Sequence, residues 1–259
     1  GSVTECVPEV EAEAVAGAAT ARLRAWLVPT RDTGTVVHAG ADVVYAEVDG
    51  RCVGLLAHSA VQVPCGIRTT LPSLDARPGD VVRLPGGGRL TVAGYDVQVR
   101  RTVPVRPVCF GDRTRAGSTL RRLLLPRLGP VLAELPSEAL HALGAGDPAA
   151  VPQLLGRGSG LTPLGDDVLC GWLASTPGLS RIADEVVRLA PQRTTVLSTT
   201  LLDCARHGET VPEFGRLAEA LDNDDTAECA SAVEGLVAVG HTSGAGLALG
   251  CLLALGGRP

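Results

Sequence analysis

Two late segments of the chain are apolar on nearly every side, and they constrain the fold more than anything else in the sequence. Val168-Leu169-Cys170-Gly171-Trp172-Leu173 holds no charged residue, and neither does the run from Leu247 to Leu255. A helix without a polar stripe belongs in the centre of a domain. The glycines and alanines in both runs allow two helix backbones to approach closely. The sequence therefore predicts an all-α domain built around two buried, Gly/Ala-rich central helices.

Upstream of about residue 115 the signals are different. Glu9 to Leu27 is Ala-rich and reads as one helix that ends before Pro29. After it, β signals dominate. Val43-Val44-Tyr45-Ala46-Glu47-Val48 and Cys52-Val53-Gly54-Leu55-Leu56 flank Asp49-Gly50, the strongest short-range mark of a hairpin. Further strands are expected around Val61 to Val63, Asp80 to Leu84, Arg89 to Val92 and Val97 to Val103, with a turn at Pro85-Gly86-Gly87-Gly88. Closely spaced short strands suggest a small barrel or sandwich. The expected fold class is α+β: residues 1–115 form a mainly β domain with a flanking helix, and 116–259 form an α-helical domain.

In the second half, helices are expected over Leu120 to Leu128, Ser137 to Leu143 with Ser137 as its cap, and Asp166 to Ala174. Arg181 to Leu189, Thr194 to Arg206, Glu213 to Leu221, Ala227 to Val239 and Gly244 to Leu255 follow. Arg121, Arg122 and Arg127 read as a solvated helix face, and Asp222-Asn223-Asp224-Asp225 as a solvated turn, since it lacks the glycine and distal Glu of a calcium loop.

Both central helices begin in the same way. The first follows Gly156-Arg157-Gly158-Ser159-Gly160-Leu161-Thr162-Pro163-Leu164-Gly165-Asp166-Asp167, the second Gly240-His241-Thr242-Ser243-Gly244-Ala245-Gly246. Glycines and hydroxyls at a helix start offer unpaired N–H groups and the positive end of the helix dipole to an anion. A third segment, Gln192-Arg193-Thr194-Thr195-Val196-Leu197-Ser198, opens the helix that runs to His207. Converging, these starts would form a pocket for a phosphate, a carboxylate or a developing oxyanion. Candidate anion contacts are Gly158, Ser159, Gly160, Thr162, Arg193, Thr194, Thr195, Ser198, Thr242, Ser243 and Gly244. Asp166 and Asp167 are candidates for general base or for holding Mg²⁺, and His241 for proton donor.

Each feature also has a plainer explanation. Asp166 would serve as a helix N-cap, with Asp167 favouring the dipole. His241 would be a core histidine, and Thr194 and Ser198 would bond back to helix carbonyls.

Composition narrows the chemistry. The chain has no Lys, so all 23 formal positive charges are Arg, which excludes a Schiff-base lysine and a P-loop lysine. With no Lys, Arg193 and Arg157 are the obvious counter-charges for an anion. A formal net charge of −5 argues against nucleic acid as a partner. Neither a membrane-length apolar run nor a secretory signal is visible, which points to the cytoplasm and away from a membrane. The eight cysteines form no Cys-x-x-Cys pair, and Cys52, Cys170, Cys204 and Cys251 lie in apolar runs, as buried thiols would. Gly1-Ser2 has the look of a cleaved-tag remnant.

These motifs carry a family resemblance. Gly158-Ser159-Gly160-Leu161-Thr162-Pro163-Leu164-Gly165-Asp166-Asp167 resembles the G-x-G-L-T-P-S-G-D-D signature of the DUF2877 proteins, which include the AllH-type subunit of oxamate carbamoyltransferase. Arg193-Thr194-Thr195-Val196-Leu197-Ser198 is similar to that family's threonine-rich helix start, and Gly240-His241-Thr242-Ser243-Gly244-Ala245 to its G-H-[ST]-S-G-A loop. Two positions depart from the pattern: Leu164 stands where the family has Ser, and Gly246 where an Asp often follows. The resemblance implies carbamoyl transfer between oxalurate and phosphate, giving oxamate and carbamoyl phosphate. It also implies a multi-subunit system. The expected partners are a small anionic substrate and further subunits, in a homo-oligomer or a hetero-subunit complex. A non-catalytic metabolite-binding or scaffold subunit is the alternative.

Overall fold

A computed structural model describes residues 11–259. Gly1-Ser2 and the first two residues of the expected helix, Glu9 and Val10, lie outside the described residues. The chain divides into two compact units, one running to Ala60 and continuing over Gly66–Val103, the other comprising Val61–Cys65 and Pro104–Pro259.

The first unit is a closed eight-stranded barrel in the order β1-β5-β4-β3-β2-β6-β7-β8. Its strands are β1 (Glu13–Thr20), β2 (Arg31–Ala39), β3 (Val43–Val48), β4 (Arg51–Leu56), β5 (Gly66–Arg68), β6 (Val81–Gly86), β7 (Arg89–Val92) and β8 (Tyr95–Val103). The helix expected from residue 9 to 27 is corrected here: most of it is β1, and only α1 (Ala21–Trp26) is helical, capped by the Thr20 hydroxyl at 3.2 Å from the Leu23 N–H. β1 closes the barrel by pairing parallel with β8 and antiparallel with β5. Closure needs small side chains, because a Cβ on Gly17 would lie 2.5 Å from Ile67 Cγ2 and 3.2 Å from Val97 Cγ1. Alanine's helical preference is overridden by that fit.

The Asp49-Gly50 hairpin forms with φ of 52° and 72°, the pattern of a type I′ turn. The strand expected at Val61 to Val63 is absent; Pro64 supplies no donor, and the chain pairs next at β5, parallel to β4. β2 escaped the sequence reading because Gly34 interrupts it. In the fold, that glycine lies where a Cβ would meet the Glu47 carbonyl oxygen of β3 at 2.3 Å.

The second unit is helical: α2 (Arg113–Leu124), a 3-10 turn (Leu125–Arg127), α3 (Gly129–Leu132), α4 (Ser137–Gly144), α5 (Ala150–Leu154), α6 (Leu164–Ser175), α7 (Arg181–Arg193), α8 (Val196–Arg206), α9 (Pro212–Asn223), α10 (Thr226–Val237) and α11 (Ser243–Ala254). Ser137 is the first helical residue of α4 and makes no cap bond; Pro136 holds the cap position. Every residue of α6 is buried, and α11 is buried from Gly244 to Leu253. The two helices meet backbone to backbone. A Cβ on Gly171 would lie 2.0 Å from the Leu247 carbonyl oxygen, and one on Gly250 2.1 Å from that of Val168.

Among the described residues the cysteines are thiols, all buried except Cys109. The Asp222–Asp225 turn is built into the fold. Asp222 accepts from the Gly111 N–H at 2.8 Å, Asp224 takes a left-handed φ of 53°, and Asp225 caps α10. Among the described residues no helix is long and apolar enough to cross a membrane.

Candidate functional site

The starts of α6, α8 and α11 converge, and their polar groups interlock. Asp166 and Asp167 lie in the first turn of α6. Asp166 is not its cap, as one explanation had it; Pro163 occupies that position. Asp166 is 1 % exposed and has both oxygens engaged: Oδ1 accepts from the Gly156 N–H at 2.8 Å, and Oδ2 from the Thr194 hydroxyl. Burial raises its pKa, and the bonds from Thr194 and Gly156 partly oppose this, as does the nearby Ser198 hydroxyl. Ser198 Oγ itself is buried beside Asp166 without a well-formed hydrogen bond.

Asp167 is 6 % exposed, and its Oδ2 has no hydrogen-bond partner. Burial pushes its pKa up to about 8; the Ser243 hydroxyl partly opposes this, and the charge of Asp166 adds to it. The two carboxyls therefore differ. One is saturated by neutral donors, while the other is short of a partner and retains its proton near neutral pH. Asp167 cannot retreat on its α11 side, because Gly246 presses against it: a Cβ there would lie 2.8 Å from Asp167 Cβ and 3.0 Å from Leu164 Cδ1. The two departures from the family pattern, Leu164 and Gly246, are thus neighbours around one carboxyl. The thiol of Cys170, on the same helix, is pushed up by burial and then by both aspartates.

The hydroxyls divide by role. Thr162 Oγ1 and Ser243 Oγ are 3.1 Å apart and link the α6 and α11 loops. Thr195 caps α8, accepting from the Ser198 N–H at 3.1 Å, and donates to the Leu161 carbonyl at 2.6 Å. Thr194 lies outside α8, in the cap position of α7, and donates to Asp166 instead of bonding back to a helix carbonyl. Thr242 is the half-buried cap residue of α11, and its carbonyl accepts from the Gly246 N–H at 2.9 Å.

The glycines divide as well. Gly158 and Gly160, with Ser159 between them, are exposed, and the N–H groups of residues 158–162 make no backbone hydrogen bond to another described residue. Gly244, expected to cradle an anion, is buried; its N–H donates to the Val239 carbonyl at 3.0 Å, and a Cβ would lie 1.7 Å from the Leu236 oxygen. It serves packing. Gly156, with φ of 72°, lies against the Arg193 carbonyl, where a Cβ would approach to 2.2 Å. It opens the motif, but no local pattern in the sequence marks its N–H as the donor to Asp166.

His241 is exposed at the tip of the α11 loop and is no core histidine. The Arg193 side chain is exposed and lines a shallow pocket of about 360 Å³ with Gly156, Pro163, Gln192, Thr194 and Thr195. Arg157 turns away, donating to the Glu134 carbonyl at 3.3 Å. A larger cavity, about 720 Å³, lies between α4 and the last residues of the chain and contains none of these groups. Among the described residues no cluster of three or more His, Cys, Asp or Glu side chains could hold a metal ion.

Paired buried carboxyls ringed by hydroxyls at three helix starts suit proton transfer on a small ligand. The family model described as "Oxamate carbamoyltransferase subunit AllH", a DUF2877-type family, matches residues 154–255, the stretch that holds every residue of the site. No curated protein and no solved structure matches the chain.

Proposed function

We propose that the helical unit binds a small anionic carbamoyl compound at the α6–α8–α11 site, as the carbamoyl-transferring part of an assembly of subunits. The observation that carries this reading is the unpartnered Oδ2 of Asp167, buried where three helix starts meet. A buried polar atom without a partner costs stability, and such groups persist where a ligand completes them. The anionic end of the ligand would take the free N–H groups of residues 158–162, the Arg193 guanidinium and the Ser159 and Thr162 hydroxyls. In carbamoyl transfer to phosphate, the bond from carbamoyl carbon to nitrogen breaks, a bond to a phosphate oxygen forms, and the leaving nitrogen gains a proton. Asp167, protonated near neutral pH, is the proton donor in this reading, and Ser243 orients it. His241 would exchange protons with solvent at the rim. Mg²⁺ enters no step. With Asp166 saturated, a divalent ion would rest on Asp167 and the ligand's own oxygens.

A thermal-shift series with carbamoyl phosphate, phosphate, oxamate, ADP and ATP, each with and without Mg²⁺, tests this. Carbamoyl phosphate at about 100 times its Kd should add roughly 2.7 kcal/mol, and Asp167→Asn should abolish turnover in the complete assembly. Full turnover by Asp167→Asn would remove the proton-donor role. The second reading, a non-catalytic binding subunit, is favoured by the family's description as a subunit. It keeps the thermal shift and makes turnover by the assembly indifferent to Asp167.

A further inference from the structure

The site as it stands is shut. Asp166 and Asp167 are 1 % and 6 % exposed, and a group that needs a ligand has no open way to one. The segment that follows Arg157 is built differently from the helices beneath it. Its base is fixed: the Arg157 N–H donates to the Leu154 carbonyl at 3.0 Å, and the Arg157 carbonyl accepts from the Gly165 N–H at 2.8 Å. Between those points, residues 158–162 make no backbone hydrogen bonds to other described residues. Gly158 and Gly160 both have positive φ, at 122° and 82°, so the segment has two points at which the backbone can turn freely. Two side-chain bonds tie it down: Thr195 Oγ1 to the Leu161 carbonyl at 2.6 Å, and the Thr162–Ser243 hydroxyl pair at 3.1 Å. Each joins the segment to a different helix start.

We propose that residues 157–162 form a lid over the aspartate pair, latched to α8 by Thr195 and to α11 by the Thr162–Ser243 hydroxyl bond, and that ligand entry requires the latches to part. This rests on the site reading above. Two neutral hydrogen bonds are a weak latch, which sets the open population on the order of a few per cent. Ligand binding is then limited by that fraction.

Cysteines at Thr162 and Ser243 would put two thiols where the hydroxyl oxygens lie 3.1 Å apart, and a disulfide formed between them would lock the segment. In the double variant Thr162→Cys/Ser243→Cys, association with carbamoyl phosphate and with inorganic phosphate is measured by stopped-flow fluorescence, oxidised and then reduced with dithiothreitol. Thr162→Cys alone controls for oxidation elsewhere. The lid predicts that the oxidised form associates at least about 100-fold more slowly than the same variant after reduction. Equal rates in the two forms would overturn the lid and leave the site reading intact. Absence of binding by the unmodified protein would overturn both. Gly160→Ala gives a second measurement that needs no lock. Its Cβ meets nothing within 4 Å, but its φ of 82° strains the latched state, so association should quicken by about fivefold. An unchanged or slower rate counts against the lid even if the reduced double variant binds poorly.

Discussion

β1 and α11 are both rich in alanine and glycine and fold in opposite ways. β1 reads EAVAGAAT and α11 reads SGAGLALGCLLA. In β1, exposed and buried positions roughly alternate, and Gly17 admits the Ile67 and Val97 side chains of flanking strands. In α11 burial is continuous from Gly244 to Leu253, and Gly250 admits the backbone of α6. Small residues therefore specify how closely a neighbour comes, and leave the secondary structure to the neighbour's geometry. The kind of neighbour also sets how tolerant each position is: a side chain can shift, but a helix backbone cannot.

The sharpest way to break the comparison is Gly250→Val. Its Cβ would lie 2.1 Å from the Val168 carbonyl oxygen and 2.6 Å from the Trp172 N, both backbone atoms. The helical unit should fail to fold, at a cost above the roughly 1–3 kcal/mol usual for overpacking, seen as lost near-UV circular dichroism. Wild-type-like melting would mean that α6 and α11 do not pack as described.

Next in size is the pH dependence set by Asp167 on the same helix pair. Its folded pKa of about 8 lies above the ordinary carboxylate value. The folded state therefore holds the proton more tightly, and this contribution is complete below about pH 4 and is lost as pH rises to about 8. Urea titrations should give stability falling over that range by on the order of a few kcal/mol, and Asp167→Asn should flatten the slope. A slope that survives the substitution assigns the effect to another group.

Gly17→Ala should cost less, about 1–2 kcal/mol, because the atom in its way is the Ile67 methyl, which can move by rotamer or backbone adjustment. A loss as large as that of Gly250→Val would erase the distinction between the two neighbours. The smallest effect is expected at Thr20→Ala, which removes the one side-chain cap of α1 for about 1 kcal/mol by chemical denaturation. No loss at all would mean that α1 is held by the barrel and not by its cap.

The same contrast explains what the sequence disclosed. The central helices were legible because continuous apolarity over Val168 to Leu173 and Leu247 to Leu255 has few structural solutions. The hairpin at Asp49-Gly50 was legible because its turn needs two positive φ angles. β1 was not, since its identity depends on Tyr95–Val103, far along the chain, whose pairing leaves no local mark. The three site loops were legible as glycine and hydroxyl clusters. What each group does there was not. Thr195 and Gly244 serve packing and capping, and the split between a saturated Asp166 and an unpartnered Asp167 depends on Gly156 and Thr194, residues on two other segments. Composition marks where polar groups gather, but only the fold decides which of them are already satisfied.

The parallel pairing of β1 with β8 also has a consequence in time. Glu13 lies beside Tyr95, so the parallel partner of the first strand is made roughly 80 residues after it. At the ordinary pace of synthesis that is about 4 to 16 s during which the barrel cannot close. A strand of bulky β-branched residues with one edge open for so long would invite pairing with other chains. A strand of alanine and glycine offers them little to hold, and it is the one this barrel makes first.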